Sequence, residues 1–173
     1  GELGYELHHP IEMQNHLFDA LMKAGAPHGI TLFGARAQNW MRQEKSYRAF
    51  GSDIGRDASP LESGLDRFVD LDKDFRGKAA MQALGVRAKC VTLAMDGPED
   101  ADPWGREGLL HGGEVVGRLT SGGWSVTLGR RIGLGYVRPE LAVPGTELKV
   151  RILGELHDAE IIEDSPHDPE NAR

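Results

Sequence analysis

Two side chains have the chemistry needed to hold a flat, nitrogen-rich ligand: Glu6 and Arg42. Glu6 follows Gly4 at a two-residue spacing, so in a strand both lie on one face, and the glycine leaves room for a ring beside the carboxylate. Such a carboxylate accepts two parallel N–H groups from an amide–amidine edge like that of a pterin. By spacing alone, a solvated strand carboxylate is the commoner explanation of Glu6. Arg42 could clamp a carboxylate tail, or pair with Gln38 or with acids on its own helix.

Other residues that often carry chemistry fit structural roles better. His8 and His9 are adjacent, so in a strand they face opposite ways and cannot bind one ion together. Gly122-Gly123 could cradle an anion through backbone N–H groups, but a tight corner of a barrel is the favoured explanation. Cys90 alternates within an apolar strand, which indicates a buried thiol rather than a nucleophile. The chain has no P-loop, dinucleotide fingerprint, zinc-protease motif or nucleophile elbow, and we expect no metal site.

The composition sets limits on the partners. The chain has 173 residues, 39% hydrophobic and 27% charged, which is typical of one globular domain or two small ones. A net charge of −7 repels polyanions, so we expect no nucleic-acid partner. No segment is apolar over the roughly 18 residues that a membrane span needs, so we expect no membrane partner either. The single cysteine indicates a reducing compartment, the cytoplasm or, in a eukaryote, the mitochondrial matrix.

The elements of the first half are mixed. Residues 2–8 alternate, which predicts a strand with Tyr5 on its apolar face and Glu6 on the other. A helical pattern then begins at Pro10 and ends at Gly25. The remaining patterns predict, in chain order, an amphipathic helix around residues 34–47, a loop over Gly51–Gly64, a strand over Arg67–Leu71 and a short helix over Lys78–Leu84.

After Gly85 only strands are predicted. They are Lys89–Met95, Gly108–His111, Glu114–Thr120, Arg131–Arg138, Glu147–Leu153 and Leu156–Ile162. Gly112-Gly113 and Gly154-Glu155 have the spacing of two-residue hairpin turns. Short strands with glycine-rich turns favour a small antiparallel barrel, because closure protects the sheet edges. The sequence therefore predicts an α+β chain with a domain over residues 1–85 and a β-barrel domain over residues 86–173.

A series of motifs occurs in an order that resembles a known family. They are GELGYEL at residues 1–7, RQEKSYRAFGSD at 42–53, SPLESGL at 59–65, DKDFRGK at 72–78, and GRLTSGG with IGLGYV at 117–123 and 132–137. In this order they resemble the tetrahydrofolate-binding aminomethyltransferases, the T-protein family of the glycine cleavage system. Over nearly the whole chain, the resemblance implies the C-terminal part of a folate-binding α/β domain followed by a β-barrel.

Within that family, the ending Asp168–Arg173 and the pair Tyr47-Arg48 look more like the folate domains at the C-terminus of flavin-linked dimethylglycine and sarcosine dehydrogenases. The second helix departs from the family's usual Leu-Arg-Leu-Glu, because it has Met-Arg-Gln-Glu at residues 41–44, preceded by Trp40. The chain opens with Gly1 in a strand-like segment rather than with Met. We therefore expect it to be the C-terminal fragment of a longer polypeptide.

The resemblance implies tetrahydrofolate as the cofactor and one-carbon transfer as the function, in which a folate nitrogen captures an aminomethyl group or iminium. It implies that Glu6 grips the pterin edge and that Tyr5 and Arg42 lie beside the folate. The family's key aspartate belongs to the half that precedes Gly1. We therefore assign no catalytic residue here, and Asp53, Asp70 and Asp72 do not take that role.

The implied partners are a methylated amine or aminomethyl donor, the preceding half of the folate domain and a flavin domain, with FAD bound only in that preceding domain. A fragment without the preceding half is expected to be inactive. The alternatives are a free-standing aminomethyltransferase served by a lipoyl-carrying protein, a folate-binding regulatory module without turnover, and a purely structural domain.

Overall fold

The computed structural model describes residues 4–172, which divide into two compact units, the first ending at Gly34 and the second beginning at Ala35. The domain boundary near residue 86 stays a prediction. Each unit is described by itself below.

The first unit is built on one helix. Helix α1 spans Gln14–Gly25, between short 3-10 turns at Ile11–Met13 and Ala26–His28. It follows Pro10, whose fixed φ of −59° suits a helix start, so the predicted helix is confirmed. None of the described residues of this unit is buried. The apolar side of α1 therefore has no core of its own to pack against.

The strand predicted over residues 2–8 is wrong for the part that the structure describes. Residues 4–10 have no regular secondary structure, and residues 2 and 3 lie outside the described residues. A strand needs a neighbouring strand to pair its backbone groups, and the described part of this unit contains none. Alternation of side chains alone does not supply that neighbour.

The second unit begins with helix α2, Ala35–Glu44, and also contains helix α3, Lys78–Leu84. Helix α3 has the predicted bounds, and Gly77 and Gly85, with φ of 93° and 66°, flank it. The strand predicted over Arg67–Leu71 is wrong, because a 3-10 turn occupies Asp66–Phe68. Beyond it, the Asp70 carboxylate accepts the backbone N–H of Asp72 at 3.0 Å, a local bond that favours a turn over a strand.

Six antiparallel strands close into a barrel in the order β1-β4-β3-β2-β5-β6, so the predicted barrel and the α+β class are confirmed. The strands are β1 Lys89–Met95, β2 Gly108–His111, β3 Glu114–Ser125, β4 Arg130–Val137, β5 Glu147–Ile152 and β6 Glu155–Ile162. Alternate side chains fill the interior, and Leu93, Leu109, Leu119 and Val150 are fully buried there.

The two predicted hairpin turns have different outcomes. Gly112 and Gly113, with φ of 58° and 85°, form the two-residue turn expected between β2 and β3. In the second hairpin, Ile152 pairs with Glu155, so the turn residues are Leu153 and Gly154, one position earlier than predicted.

Gly122 and Gly123 lie inside β3, so the corner that they were expected to form is wrong. A Cβ on Gly123 would lie 2.2 Å from Nε1 of Trp40 in α2, and one on Gly122 would lie 2.4 Å from Cγ of Pro103. The glycines are required because a helix and a loop pack directly on the strand backbone.

Candidate functional site

Glu6 and Tyr5 belong to the first unit, and both are open to solvent. The Glu6 side chain is 92% exposed, and its Oε2 lies 3.8 Å from Nε2 of His8. Tyr5 is 84% exposed. The Glu6 carboxylate is thus solvated, as its spacing alone favoured. Its role as a ligand group stays a prediction.

Arg42, in the last turn of α2, is held by groups beyond its helix surface. Its Nη1 donates to Asp53 Oδ2 at 2.7 Å and to the Tyr47 carbonyl at 2.9 Å. Its Nη2 donates to Ser121 Oγ at 2.7 Å, and its Nε donates to Asn39 Oδ1 at 2.8 Å. Its acidic partner is therefore Asp53 in the loop after α2, and among the described residues its side chain bonds to Asn39 of its own helix rather than to Gln38.

One N–H of Arg42 has no hydrogen-bond partner among the described residues. A guanidinium carries five N–H donors, and four of them have partners among the described residues. The fifth is on Nη2, and the side chain is 17% exposed. Arg42 is therefore oriented by the protein and still has a donor for a ligand.

The carboxylate of Asp53 neutralises Arg42. Its side chain is fully buried, and it accepts hydrogen bonds from the backbone of Ala49 at 2.9 Å and from the hydroxyls of Thr120 and Ser121 at 2.6 Å. Burial raises the pKa of Asp53, but the hydrogen bonds from Ala49, Ser121 and Thr120 and the charge of Arg42 outweigh it, so its pKa lies below the usual value. Asp53 thus stays charged and serves to orient Arg42.

A cavity of about 210 Å³ opens beside Arg42. Aromatic, cationic and hydroxyl groups line it: Arg36, Asn39, Trp40, Arg42, Ser52, Asp102, Pro103, Trp104, Thr120, Ser121 and Gly122. The guanidinium carbon of Arg36 lies 5.9 Å from the centre of the Trp40 ring, within range of a cation–π contact. A flat ring that bears a carboxylate matches this lining, because the tryptophans offer apolar walls and the arginines offer donors.

A second cavity of about 610 Å³ lies across Trp40 and Trp104. Trp124 also lines it, so all three tryptophans of the chain meet there. Beneath them, Arg131 lies 5.5 Å from the Trp124 ring and donates to the carbonyls of Gly97, Pro98 and Ala101. The arginine thereby fixes the loop that supplies Asp102 and Trp104 to the cavity walls.

Sequence reasoning missed Asp53, Thr120 and Ser121 as parts of this site. The hydroxyls of the Thr-Ser-Gly-Gly motif are the signal that could have identified Thr120 and Ser121, whereas the glycines of that motif only predict a backbone feature. Cys90 is 6% exposed, and burial raises its pKa to about 11, despite an opposing effect of nearby Arg48, so its interpretation as a buried thiol is confirmed.

Within residues 4–172, no group of three or more His, Cys, Asp or Glu side chains is placed to hold a metal ion. Over the same residues, no helix combines the length and the apolar character needed to cross a membrane.

Comparison with protein-family models assigns both parts of the chain. Residues 1–73 match the GCVT N-terminal domain, and residues 89–168 match the glycine cleavage T-protein C-terminal barrel domain. The chain belongs to the glycine cleavage T-protein family. The barrel of this T-protein-family chain corresponds to the second match, since β1 begins at the residue where that match begins.

Curated relatives include dehydrogenases and transferases. The chain is 41% identical over 171 residues to mitochondrial dimethylglycine dehydrogenase of Rattus norvegicus, covering 95% of this chain and 20% of that protein. It is 34% identical to the aminomethyltransferase of Halothermothrix orenii, covering 94% of this chain and 46% of that protein. The chain thus spans about a fifth of the dehydrogenase and less than half of the transferase.

Among solved structures, the chain resembles the glycine cleavage system aminomethyltransferase T of Bartonella henselae, with a TM-score of 0.79 at 22% identity. The match covers 92% of this chain and 45% of that one. At this identity the likeness shows a shared fold.

Proposed function

We propose that this T-protein-family chain is the tetrahydrofolate-binding portion of a one-carbon transferase, namely the C-terminal part of a flavin-linked demethylating dehydrogenase that acts on dimethylglycine or sarcosine. The observation that supports it most is Arg42, which is oriented by four hydrogen bonds, retains one N–H and lines a cavity with tryptophan walls. Identity to a dimethylglycine dehydrogenase, at 41%, exceeds that to the aminomethyltransferase, at 34%.

Arg42 suits the benzoyl-glutamate side of a folate. A carboxylate would accept the remaining Nη2 N–H of Arg42, and Arg36 on the same cavity wall could supply a second donor. Trp40 and Trp104 would cover the faces of an aromatic ring. Asp53 keeps the site from carrying an unbalanced positive charge and fixes the direction of the donor.

Glu6 suits the pterin side. It is a carboxylate whose two oxygens can accept two parallel N–H donors, and it is 92% exposed. Tyr5, equally open, would lie beside the ring. These two assignments follow from the family motif, in which both residues stand in the segment before α1.

Tetrahydrofolate, when bound, supplies a nucleophilic nitrogen that takes up the one-carbon unit. The residues of this chain would bind and orient the folate and exclude water from it, and such positioning dominates a transfer to a nitrogen that is already nucleophilic. We assign none of them a proton-transfer step. FAD, where present, would bind in the preceding domain and not in this chain.

The first unit supports a further partner within the same polypeptide. Its exposed apolar side chains are Leu7, Ile11, Met13, Phe18, Leu21, Ile30, Leu32 and Phe33. An apolar face without a core is typical of a surface covered by another domain. Because the relatives are two to five times longer than the matched region, we propose that the rest of the folate domain covers it. We place the protein in a reducing compartment, either cytoplasm or mitochondrial matrix.

Calorimetric titration of the full-length protein with tetrahydrofolate tests the proposal. Glu6→Gln is expected to weaken binding by at least tenfold, because two charge-assisted hydrogen bonds contribute about 1.5–3 kcal/mol each. Glu12→Gln is a matched control, since Glu12 is an exposed acid in the same unit. Unchanged binding by Glu6→Gln would remove Glu6 from the site. A wild-type protein that shows no binding at about 1 mM would end the proposal.

The free-standing aminomethyltransferase remains the second candidate, supported by the 46% coverage of the Halothermothrix protein. The length of the natural coding sequence separates the two, because the dehydrogenase requires several hundred residues before this region. Turnover of a methylated amine by the full-length protein would exclude a regulatory module.

A further inference from the structure

The tail after the barrel, residues 163–172, is held against the segment that follows α2. Lys45 Nζ donates to Asp168 Oδ2 at 2.6 Å and to Asn171 Oδ1 at 2.8 Å. The side chains of Lys45 and Asp168 are only 9% and 8% exposed. A buried ion pair is disfavoured by desolvation unless its geometry is good, so this contact is a specific one.

Further bonds along the tail reach the same segment. The Ser165 backbone donates to Ser46 Oγ at 2.7 Å, and the Ser165 hydroxyl donates to the Lys45 carbonyl at 2.9 Å. Arg48 Nη2 donates to Asp164 Oδ2, also at 2.7 Å. Residues 45, 46 and 48 are therefore each bonded to the tail.

Both sides of this contact contain backbone that L-residues rarely adopt. Ser46 has φ of 53°, and on the tail Ser165, Asp168 and Asn171 have φ of 54°, 49° and 54°. Left-handed non-glycine residues persist only where surrounding contacts hold them. The tail and the 45–48 segment thus stabilise each other's conformation.

Tyr47, in the middle of the held segment, orients Arg42. Its carbonyl accepts a hydrogen bond from Arg42 Nη1 at 2.9 Å, and its backbone N–H donates to the Arg42 carbonyl at 2.8 Å. Its hydroxyl donates to Asn171 Oδ1 at 3.1 Å. The residue that directs the Arg42 guanidinium is therefore fixed by the tail through its side chain and through both neighbours.

We propose that Asp168 and Asn171 are positioning residues for Arg42. By holding Lys45 and Tyr47, they set the direction of the Tyr47 carbonyl and hence of the remaining N–H of Arg42 in the cavity. The positioning itself is a property of the fold. Its meaning for folate binding rests on the proposed function.

The first experiment reads the orientation of Arg42 without any folate. In the nitrogen-15 NMR spectrum of the full-length protein, the Arg42 guanidinium signals are identified by their loss in Arg42→Lys. In the wild type, separate Nη signals are expected because four hydrogen bonds restrict rotation. In Asn171→Ala these signals are expected to shift and merge, while those of Arg131 stay unchanged.

One further variant tests the ion pair without leaving a single charge buried, and another serves as a control. Lys45→Met combined with Asp168→Asn removes both charges of the pair, and asparagine tolerates the left-handed φ of 49° at position 168 and keeps the acceptor for the Ala172 N–H. Glu170→Gln changes an exposed acid of the same tail and should leave the Arg42 signals as in the wild type. Folded Asn171→Ala and double variants with unchanged Arg42 signals would overturn the inference.

The second experiment uses tetrahydrofolate and 6-methyltetrahydropterin, which lacks the benzoyl-glutamate. Asn171→Ala is expected to weaken tetrahydrofolate binding about three- to tenfold, to leave the pterin unaffected, and to have no effect in an Arg42→Lys background. Equal weakening of both ligands, or a full effect without Arg42, would contradict positioning through Arg42. If the wild type binds neither ligand but the Arg42 signals respond to Asn171→Ala, the proposed function fails and the positioning stands.

Discussion

Replacement of Glu62 by glutamine is expected to destabilise the protein at neutral pH but not in strong acid. Glu62 lies in the loop before α3, and its side chain is 2% exposed. The carboxylate accepts from the Ser59 backbone at 2.7 Å, from the Arg87 backbone at 3.0 Å, and from the Arg87 guanidinium at 2.8 and 3.0 Å. The Glu62 carbonyl also accepts the N–H of Cys90 at 2.8 Å, so the residue ties this loop to β1.

The size of the effect follows from the pKa of Glu62. The hydrogen bonds from the Arg87 side chain, opposed by burial and supported by the two backbone N–H groups, lower that pKa from 4.5 to about 2. The difference corresponds to about 3 kcal/mol. Arg87 is 53% exposed, so solvent screening reduces the expected contribution to about 2 kcal/mol.

The sign with pH is fixed by the direction of the change. A carboxyl whose pKa is lowered on folding stabilises the folded state above its unfolded pKa, and this stabilisation disappears as the pH falls from 4.5 towards 2. Urea unfolding of wild type and Glu62→Gln at pH 7, 4 and 2.5 measures it. We expect a difference in unfolding free energy of about 2 kcal/mol at pH 7 that becomes small at the lowest pH.

Glu140→Gln is the matched control, because Glu140 is an exposed acid, and it should change the unfolding free energy by less than about 0.5 kcal/mol. The reasoning is refuted if Glu62→Gln matches the wild type at pH 7, or if its deficit is as large at the lowest pH as at neutrality.

A substitution and a chemical reaction test the packing. Gly123→Ala places a Cβ 2.2 Å from Trp40 Nε1, so it should destabilise the fold by about 1–3 kcal/mol and change the tryptophan fluorescence. Gly108→Ala, where the added Cβ meets no atom within 4 Å, should do neither, and equal stability of the two variants would contradict the packing of α2 on β3. The Cys90 thiol is buried, and burial raises its pKa to about 11. At pH 8 it should therefore react with a disulfide reagent at least about 100-fold more slowly in the native protein than in urea. A native rate close to the rate in urea would show that the thiol is accessible.

The barrel could be predicted from sequence because its signals are local. Apolar alternation and glycine turns gave the six strands within a few residues, since each strand finds its partners within the same 74-residue stretch from Lys89 to Ile162. The same alternation misled at residues 4–8 and at Arg67–Leu71. There the pattern is present but no neighbouring strand is available among the described residues, and pairing is a property of the whole sheet.

The site shows a different limit. The family motif singles out Arg42, but its spacing leaves a ligand carboxylate, Gln38 and acids of the same helix open as partners and does not indicate Asp53. Thr120 and Ser121 donate hydrogen bonds to Asp53, although they lie 67 and 68 positions after it in the sequence. Sequence spacing carries no information on such contacts, because the closure of the barrel and the packing of Trp40 on Gly123 create them.

Arg131 holds the loop at residues 97–102 mainly through its backbone, so the anchor depends little on the side chains of that loop. Its guanidinium recognises the carbonyls of Gly97, Pro98 and Ala101, which every residue type possesses, and only Asp102 contributes a side-chain group. The exposed side chains of Glu99 and Asp100 can therefore be exchanged without loss of the anchor on β4, whereas a Cβ on Gly97 would lie only 3.1 Å from Cδ of Arg131. The rim of the tryptophan cavity is thus a place where ligand preference can be redesigned, or can diverge between relatives, while the scaffold beneath it stays unchanged.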